Sequence, residues 1–312
     1  MKAPLLDLRH LQMFAVLAKT PRVTDAAESL GITASALSHR IREAERRLDI
    51  TLFTRVHKRL RMSPAAVYLA KVSERLLADL ARAEADVRRM NRGVQQVVRL
   101  AVEAYSSYHW LPPFLRYLQA REPGIGLQVV AGATGSPVES LAEQRLDLAV
   151  VSGENAQLGA ALTHLFDDEL LFIMAPDHRL ASKPYITGQD IVGEDFITYT
   201  RIPEPDREYA KLFRPNQTYP NWTETVELPE AIVEMVAAGL GTSVLAGWAM
   251  RGSIDSGRIV GTRVGPEGIS IPWYVATRHD EGEAEEVNRR VAGHLADWCQ
   301  AMGGFSSKGT TA

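Results

Sequence analysis

The segment Val23–Arg47 constrains the fold of this chain more than any other part of the sequence, because it predicts two short helices joined by a tight turn. Gly31 stands where the end of a helix favours a residue that tolerates a left-handed backbone. Thr33 then follows as the predicted N-cap of the second helix. Leu37 and Ile41 recur at helical spacing in that helix, so we expect both side chains to face inward. This is the pattern of a helix-turn-helix.

The outer face of the second helix carries short polar and basic side chains. When a helix-turn-helix binds DNA, its second helix lies in the major groove, with polar side chains at base edges and arginines near phosphates. Any helical hairpin has a charged face, so a solvated surface is the alternative. The residues that we predict to contact DNA from this helix and its N-cap are Thr33, Ser35, Ser38, His39, Arg40 and Arg42.

The segments on either side fit the same function. Residues 7–19 have helical apolar spacing and should complete a three-helix core. Residues 51–64 predict a short β-hairpin, or wing, with a basic edge. Arg55, Arg59 and Arg61 should contact the phosphate backbone, with an affinity that falls steeply as salt rises. A solvated charged hairpin is again the alternative.

Charge is distributed unevenly along the chain. Residues 1–92 contain 18 Lys and Arg against 10 Asp and Glu, whereas the remaining residues contain 17 against 28. A basic N-terminal part suits a polyanion such as nucleic acid, and an acidic remainder does not. The two parts are therefore expected to have different functions.

A long helix is predicted after the wing, over residues 64–91. Ser63 is its predicted N-cap, and Pro64 occupies the first helical position. An apolar stripe runs along this helix, and so small a domain cannot bury all of it. We therefore expect the helix to pair with a second copy, as a linker and dimerisation element.

From residue 97 onward, apolar strands alternate with helices. This alternation predicts an α/β fold with a parallel sheet and right-handed crossovers. The predicted strands are 97–104, 127–134, 146–153, 170–176, 195–200, 223–229, 242–248 and 271–278, and the predicted helices include 137–145, 230–241 and 283–302. Because the last strand returns to the first set, the chain is expected to form two lobes with a cleft between them.

Polar residues at the ends of these strands are candidates for binding a small effector, because ligands of such sheets sit beyond the carboxyl ends of the strands. N–H and hydroxyl groups around Ser106 could hold a carboxylate, and Glu230 could meet an amino group. Each residue has an ordinary alternative as a helix cap or loop residue. The candidate effector-binding residues are Ala104, Tyr105, Ser106, Ser107, Thr134, Ser136, Tyr199, Thr200, Arg201 and Glu230.

The sequence contains no motif of an enzyme or of a metal site. GxSxG, HExxH, GxxxxGK and GxGxxG are all absent, and the eight histidines have no metal-ligand spacing. Cys299 is the only cysteine, which excludes an intramolecular disulfide. No apolar run is long enough for a signal peptide or a membrane span. We expect a cytoplasmic protein without catalytic residues, cofactor or metal.

These elements in this order resemble the LysR-type transcriptional regulators. The resemblance rests on LRHLQMFAVLAKT, AAESLGITASALSHRIREAERRL, LFTR and MSPAAVYLA, and further on LDLAVVSG, LLFIMAPDHRLA and VEMVAAGLGTSVL. It implies an N-terminal all-α winged helix-turn-helix and a long linker helix. These are joined to a two-lobed α/β effector domain like the periplasmic binding proteins. It also implies a homodimer or homotetramer on double-stranded promoter DNA, a small-molecule co-inducer and contact with RNA polymerase.

The resemblance also implies boundaries. They are a winged helix-turn-helix over 1–63, a linker helix over 64–92, and an effector domain over 93–302 with lobe I at 93–165 and 268–302 and lobe II at 166–267. Residues 303–312 have the composition of a disordered tail. Closure of the cleft on a ligand would change subunit packing, and with it the spacing or bend of the bound DNA.

Two features qualify the resemblance. Ala34 stands where the family usually has a polar residue, and Pro21–Arg22 and Ala66 replace glycines that are usual in the family. The resemblance therefore leaves open which DNA bases the second helix prefers. SSYHWLPPFLRYLQAREPGI, APDHRLASKPYIT and FITYTRIP most resemble the branch that regulates methionine biosynthesis, whose co-inducer is homocysteine. A regulator of another pathway that responds to an aromatic or dicarboxylic acid is the alternative.

Two other classes of protein compete with a regulator. A solute-binding receptor would account for residues 93–302 but has no use for a basic domain and a long helix. An enzyme on an α/β fold would need a reactive constellation, which the sequence lacks. A DNA-binding regulator accounts for the whole chain.

Overall fold

The computed structural model describes residues 4–56, 59–90, 94–103, 108–153, 160–200 and 207–305, without the side chains of residues 55, 56, 89, 90, 222 and 223. The chain divides into two compact units, Met1–Gly93 and Val94–Ala312. Within these described segments, no helix is long and apolar enough to cross a membrane.

The first unit has a three-helix core, a two-stranded wing and a long helix. Its elements are helices α1 (Leu8–Lys19), α2 (Val23–Ser29), α3 (Ala34–Leu48) and α4 (Pro64–Met90), and strands β1 (Phe53–Val56) and β2 (Arg59–Met62). Met13, Phe14 and Leu37 are completely buried at the centre of this unit. The two strands pair antiparallel, and Leu60 of the hairpin packs into the same core.

Local hydrogen bonds begin these helices where the sequence predicts. The Thr33 hydroxyl accepts from the N–H of Ala36 at 3.2 Å, and the Ser63 hydroxyl accepts from the N–H of Ala66 at 3.3 Å. Gly31 adopts a φ of 64° between α2 and α3, which glycine tolerates without strain. Each such cap contributes on the order of 1 kcal/mol. The turn between the two helices is therefore encoded locally.

Helix α4 is buried in this unit only near its N-terminus. Ala66 and Ser73 are fully buried, whereas Leu76, Leu80 and Val87 remain 43%, 41% and 64% exposed. These apolar side chains lie on the part of the helix that the unit does not cover. Pairing with a second copy would remove them from water.

The second unit contains a mixed sheet and a separate pair of strands. Its described strands are β3 (Gln96–Val102), β4 (Ile125–Val129), β5 (Leu148–Ser152), β6 (Ala161–Met174), β7 (Tyr185–Ile186), β8 (Asp195–Thr198), β9 (Asn221–Thr225), β10 (Ser243–Ala246), β11 (Val260–Val264) and β12 (Ile269–Thr277). The order in the large sheet is β4-β3-β5-β12-β6-β11-β7, with β10 also paired to β6. Strands β8 and β9 form the separate parallel pair.

Helices and one π-helical turn connect these strands. They are α5 (Leu111–Arg121), α6 (Pro137–Ala142), a π-helical turn (Tyr209–Phe213), α7 (Arg214–Asn216), α8 (Pro229–Ala237), α9 (Gly247–Asp255) and α10 (Glu283–Met302). Phe114 of α5 and Leu295 of α10 are fully buried in the core of this unit. Cys299 lies in the same core, and burial raises the pKa of its thiol. The cysteine is therefore a protonated, apolar filler.

The prediction of a parallel sheet is wrong for the centre of this unit. Strands β3, β4 and β5 are parallel, but β12 lies between β5 and β6 and is antiparallel to both. Strand β6 begins at Ala161, whereas the sequence predicts a strand only from residue 170. His164, Asp167 and Asp168 interrupt the apolar pattern of its first half, so this half lacks the signal of a buried strand.

The predicted strand over residues 242–248 is too long, because β10 ends at Ala246 and α9 begins at Gly247. Ala246 offers no side-chain cap for α9. Instead, Asp168 Oδ1 in β6 accepts from the N–H of Trp248 at 3.1 Å. Because this cap comes from a distant part of the chain, the local sequence gives no sign of it.

The end of the chain also departs from the sequence prediction. The sequence predicts a disordered tail over residues 303–312, but Phe305 is completely buried. Its ring stacks on Trp110 with the centroids 4.3 Å apart. A buried aromatic ring removes a large apolar area from water, which holds this end of the chain in place. Residues 306–312 lie outside the described residues.

The Asp168 carboxyl group is largely buried between β6 and α9. Burial raises its pKa to about 6; the N–H groups of Trp248, Glu169 and Gly247 act in the opposite direction, and the Glu169 charge raises the pKa further. Its Oδ2 is buried and has no hydrogen-bond partner among the described residues. At neutral pH the folded chain therefore carries an ionised carboxylate that water would solvate in the unfolded chain.

Replacing this carboxyl group should stabilise the protein in a pH-dependent way. The pKa of Asp168 is higher in the folded than in the unfolded chain, so its contribution favours folding at low pH and is lost as the pH rises through about 6. Asp168→Asn keeps the acceptor for Trp248 and removes the charge. We expect it to raise the free energy of unfolding by on the order of 2 kcal/mol in urea titrations near pH 7.5, and by much less near pH 4.5.

Asp167→Asn is the matched control, because the Asp167 side chain is 66% exposed. Its substitution should change the stability little at either pH. An equal loss of stability at both pH values in Asp168→Asn would contradict this account of the buried charge.

Candidate DNA-binding face and effector-binding site

Helix α3 presents a polar row opposite its buried side. Ser35, His39 and Arg42 are exposed, and Ser38 is half-buried. Their spacing of three and four residues places them on one side of the helix, away from the buried apolar residues. Hydroxyl, imidazole and guanidinium groups are therefore presented together along α3. We call these four residues the α3 row.

Two other residues predicted to contact DNA lie outside this row. The Thr33 hydroxyl caps α3 and lies 3.0 Å from Ser35 Oγ. Arg40 is half-buried on the flank of α3, where its Nη1 donates to the backbone carbonyl of Arg9 at 3.5 Å. The Thr33 side chain thus stabilises the start of α3, and the Arg40 side chain points toward α1.

The wing exposes Arg59 and Arg61, whereas Leu60 between them is buried. The side chain of Arg55 lies outside the described residues, although its backbone pairs with Leu60. The backbone of Arg22 forms a bridge with that of Arg59. This pairing brings an exposed arginine to the wing that the sequence analysis did not select, since only the fold reveals its neighbour. Cations in this position suit contact with phosphates.

Glu45 fixes the wing to α3. Its Oε1 accepts from the N–H groups of Leu52 at 2.8 Å and Phe53 at 3.1 Å. The ring of Phe53 stacks against Phe14 of α1, with the centroids 6.0 Å apart. Hydrogen bonds to a carboxylate are strong, so the α3 row and the wing arginines are held at a defined separation.

The candidates for effector binding are only partly covered by the structure. Those outside the described residues are Ala104, Tyr105, Ser106, Ser107 and Arg201. Those that the structure describes are Thr134, Ser136, Tyr199, Thr200 and Glu230.

Thr134 and Glu230 both lie near Tyr108, which the sequence analysis did not select. Burial is the main cause that raises the pKa of the Tyr108 phenol, and the Glu230 carboxylate raises it too, whereas hydrogen bonds with the Val102 backbone and the Thr134 side chain lower it. The phenol therefore stays protonated and can donate a hydrogen bond. The loop after β4, the start of α5 and the start of α8 come together at these three residues.

A second cluster lies at the carboxyl ends of β3 and β5, which are neighbouring parallel strands. The backbone N–H and the hydroxyl of Ser152 donate to Glu103 Oε2 at 2.9 and 3.1 Å. Arg207 Nη2 donates to the Ser152 hydroxyl oxygen at 2.7 Å. Ser152 and Arg207 are only 1% and 5% exposed. Carboxyl ends of strands are where α/β sheets bind ligands.

The sequence analysis selected none of these three residues. Glu103 and Ser152 offered a signal, since Glu103 directly follows one apolar strand and Ser152 ends another. Arg207 offered none, because it follows a polar stretch and its partner lies 55 positions away.

The other described candidates have separate surroundings. The Arg207 guanidinium lies 6.0 Å from the centre of the Tyr199 ring, which places Tyr199 beside the second cluster. Thr200 is tied to Thr198, whose hydroxyl donates to the Thr200 carbonyl at 2.9 Å. Ser136 precedes α6 and makes no capping hydrogen bond with its side chain.

Together the two clusters offer carboxylates, a guanidinium and hydroxyl groups in partly buried surroundings. A carboxylate can hold an ammonium group, and a guanidinium can hold a carboxylate in two parallel hydrogen bonds. Such bonds are stronger away from water. The arrangement suits a small charged molecule better than an apolar one. In the described part of the chain, no three His, Cys, Asp or Glu side chains are arranged to hold a metal ion.

Comparison with known proteins agrees with this division of the chain. Residues 8–67 match the bacterial regulatory helix-turn-helix proteins of the LysR family, and residues 91–300 match the LysR substrate binding domain. The transcriptional regulator MetR of Haemophilus influenzae is 29% identical over 284 residues, covering 90% of this chain and 91% of that protein. MetR of Escherichia coli K12 is 28% identical over 296 residues, covering 94% and 92%.

Solved structures are similar as well. The regulatory domain of MetR from N. meningitidis is 30% identical, covers 66% of this chain and 94% of that chain, and has a TM-score of 0.52. Full-length CbnR in complex with its target DNA has a TM-score of 0.73 over 93% of this chain and 100% of that chain, at 16% identity. CbnR therefore supports the fold, a winged helix-turn-helix with a periplasmic-binding-protein-like effector domain. The chain belongs to the LysR family, as a DNA-binding transcriptional regulator and not an enzyme.

Proposed function

We propose that this regulator responds to a sulfur-containing amino acid, homocysteine, bound at the carboxyl ends of β3 and β5. The observation that carries this proposal is the buried hydrogen bond from Arg207 to Ser152, which itself donates to Glu103. Glu230 at the start of α8 adds a carboxylate that acts on the Tyr108 phenol. Groups of opposite charge in one region recognise a small molecule that carries both a carboxylate and an ammonium group.

The names of the relatives support the choice of a sulfur-containing amino acid. Two regulators that are similar over nine-tenths of this chain bear the name MetR, as does the similar regulatory domain. These names favour control of methionine biosynthesis, which the sequence segments after β3 and around β6 also indicate. We place the regulator in the cytoplasm, where its promoter DNA lies.

In the proposed complex, the Arg207 guanidinium binds the carboxylate of the effector. Its bond to Ser152 keeps the guanidinium oriented before the ligand arrives, which lowers the entropic penalty of binding. Glu230 and the Tyr108 phenol meet the ammonium end. Residues 104–107 and Arg201 remain candidates for further contacts.

Effector binding is proposed to close the cleft between the two lobes. We keep the boundaries 1–63, 64–92 and 93–302 for the domains, 93–165 with 268–302 for lobe I, and 166–267 for lobe II. Closure would change the packing of subunits, the spacing or bend of the DNA, and access for RNA polymerase. The effector must bind one arrangement better than the other, and a coupling of about 1–3 kcal/mol suffices.

An aromatic acid is the second candidate effector. The Tyr199 ring beside the Arg207 guanidinium favours it, because a flat ligand could stack on the phenol while its carboxylate pairs with the cation. A dicarboxylic acid would use the same guanidinium but leave Glu103 and Glu230 without a positive partner on the ligand.

For DNA, we propose that the α3 row reads base edges and that Arg59 and Arg61 contact phosphates. Arg42→Ala should weaken operator binding, because the exposed side chain belongs to this row, by about 1–3 kcal/mol if it contacts a base. Fluorescence anisotropy with labelled promoter DNA at several salt concentrations measures the loss.

Arg40→Ala is the matched control, because Arg40 is directed toward Arg9 of α1. We expect a smaller loss of DNA affinity for it, and an unchanged melting midpoint for both variants. If Arg40→Ala weakens operator binding more than Arg42→Ala, the assignment of the α3 row is wrong.

Thermal unfolding of the full chain tests the effector. Homocysteine at a hundredfold excess over its Kd should add about 2.7 kcal/mol to the stability of the folded state, and should raise the midpoint by several degrees. Arg207→Gln should remove most of this shift. Arg214→Gln, an exposed arginine on α7, should retain it.

Methionine, aromatic acids and dicarboxylic acids complete the panel. A shift with an aromatic acid and none with homocysteine would select the second candidate. A homocysteine shift that survives in Arg207→Gln would show that the effector binds elsewhere.

A further inference from the structure

The last described residue of the chain completes an aromatic cluster. Phe305 is 0% exposed. Its ring lies nearly parallel to that of Trp110, at 4.3 Å between centroids, and meets Phe166 at 4.8 Å and Trp248 at 5.0 Å. The ring therefore packs against α5, β6 and α9 together. We call residues Gly303–Phe305 the C-terminal hook.

The backbone of the C-terminal hook is fitted to this position. Gly303 and Gly304 have φ values of 69° and 91°, which side chains other than glycine rarely adopt. A Cβ atom on Gly304 would lie 3.1 Å from Cδ2 of Phe166. His109 Nε2 lies 2.9 Å from the Phe305 carbonyl oxygen, to which it donates a hydrogen bond. Side chain and main chain are thus both anchored, unlike those of a frayed terminus.

The C-terminal hook contacts residues that lie next to the candidate effector site. His109 and Trp110 immediately follow Tyr108, and the rings of Tyr108 and Trp110 lie 6.3 Å apart. Tyr108 is the residue whose phenol lies near Thr134 and Glu230. Because interiors are close-packed, loss of the Phe305 ring would leave Trp110 free to shift, and Tyr108 with it.

We propose that Phe305 is a positioning residue for effector binding, holding His109 and Trp110 so that the Tyr108 phenol stays beside Thr134 and Glu230. The proposal rests on the proposed function, in which Glu230 and the Tyr108 phenol meet the ammonium end of the effector. Phe305 then contributes to the affinity for the effector without contacting the effector.

Two truncated forms of the full chain test this proposal, and they differ by one residue. One ends after Phe305 and the other ends after Gly304. Each carries 3-fluorotyrosine at position 108, and a second set carries it at Tyr274, which packs in a different cluster. Fluorine NMR reports the surroundings of each label in the folded protein, and circular dichroism confirms that both forms are folded at the temperature used.

Ending the chain after Gly304 should move the fluorine resonance at position 108 and leave that at position 274 in place. It should also weaken homocysteine binding, measured by calorimetry, by about tenfold. Ending the chain after Phe305 should change neither quantity. An unmoved resonance at position 108 in the folded Gly304-terminated form would overturn the proposal, and so would an unchanged affinity.

The two proposals fail in different ways. If the chain that ends after Phe305 does not bind homocysteine at all, the proposed effector is wrong. The fluorine measurement still decides whether Phe305 positions Tyr108, and the calorimetry is then repeated with the acid that shifts the melting midpoint.

Discussion

The second unit depends on the insertion of β12 between β5 and β6. Strand β12 pairs with β6 from Ile269 to Thr277 and with β5 over part of the same length. Buried backbone N–H and carbonyl groups need hydrogen-bond partners on both sides of a strand. Without β12, β5 and β6 would each have unpaired backbone groups along one side. Trp273 and Val275 are completely buried and fix the register, because a slip by one residue would turn both side chains to the opposite face.

Most of the first unit could be predicted because its determinants are local. The glycine at the end of α2, the hydroxyl caps of α3 and α4, and the apolar spacing of α3 each involve residues a few positions apart. The position of Arg40 was harder, since its outward direction on a helix diagram says nothing about the carbonyl of Arg9 nearby.

The second unit was predicted in outline, and its errors share one cause. The first half of β6 is charged, the start of α9 is capped by Asp168, and Phe305 finds its partners on three other elements. The effector candidates show the same limit. Thr134 and Glu230 could be selected as candidates because they lie after a predicted strand and at the start of a predicted helix. Tyr108 and Arg207 are identified only through contacts with residues that are remote in sequence. Interactions across long separations leave no periodicity to detect.

The position of β12 also determines when the protein can fold during synthesis. The elements of the first unit follow one another along the chain, so this unit can fold soon after it leaves the ribosome. The sheet of the second unit cannot be completed until β12 has been synthesised, and β12 follows every other described strand along the chain. Until β12 arrives, β5 and β6 present open edges on which other chains can pair. A nascent chain therefore passes through a stage with a finished DNA-binding unit and an aggregation-prone, unfinished sensor.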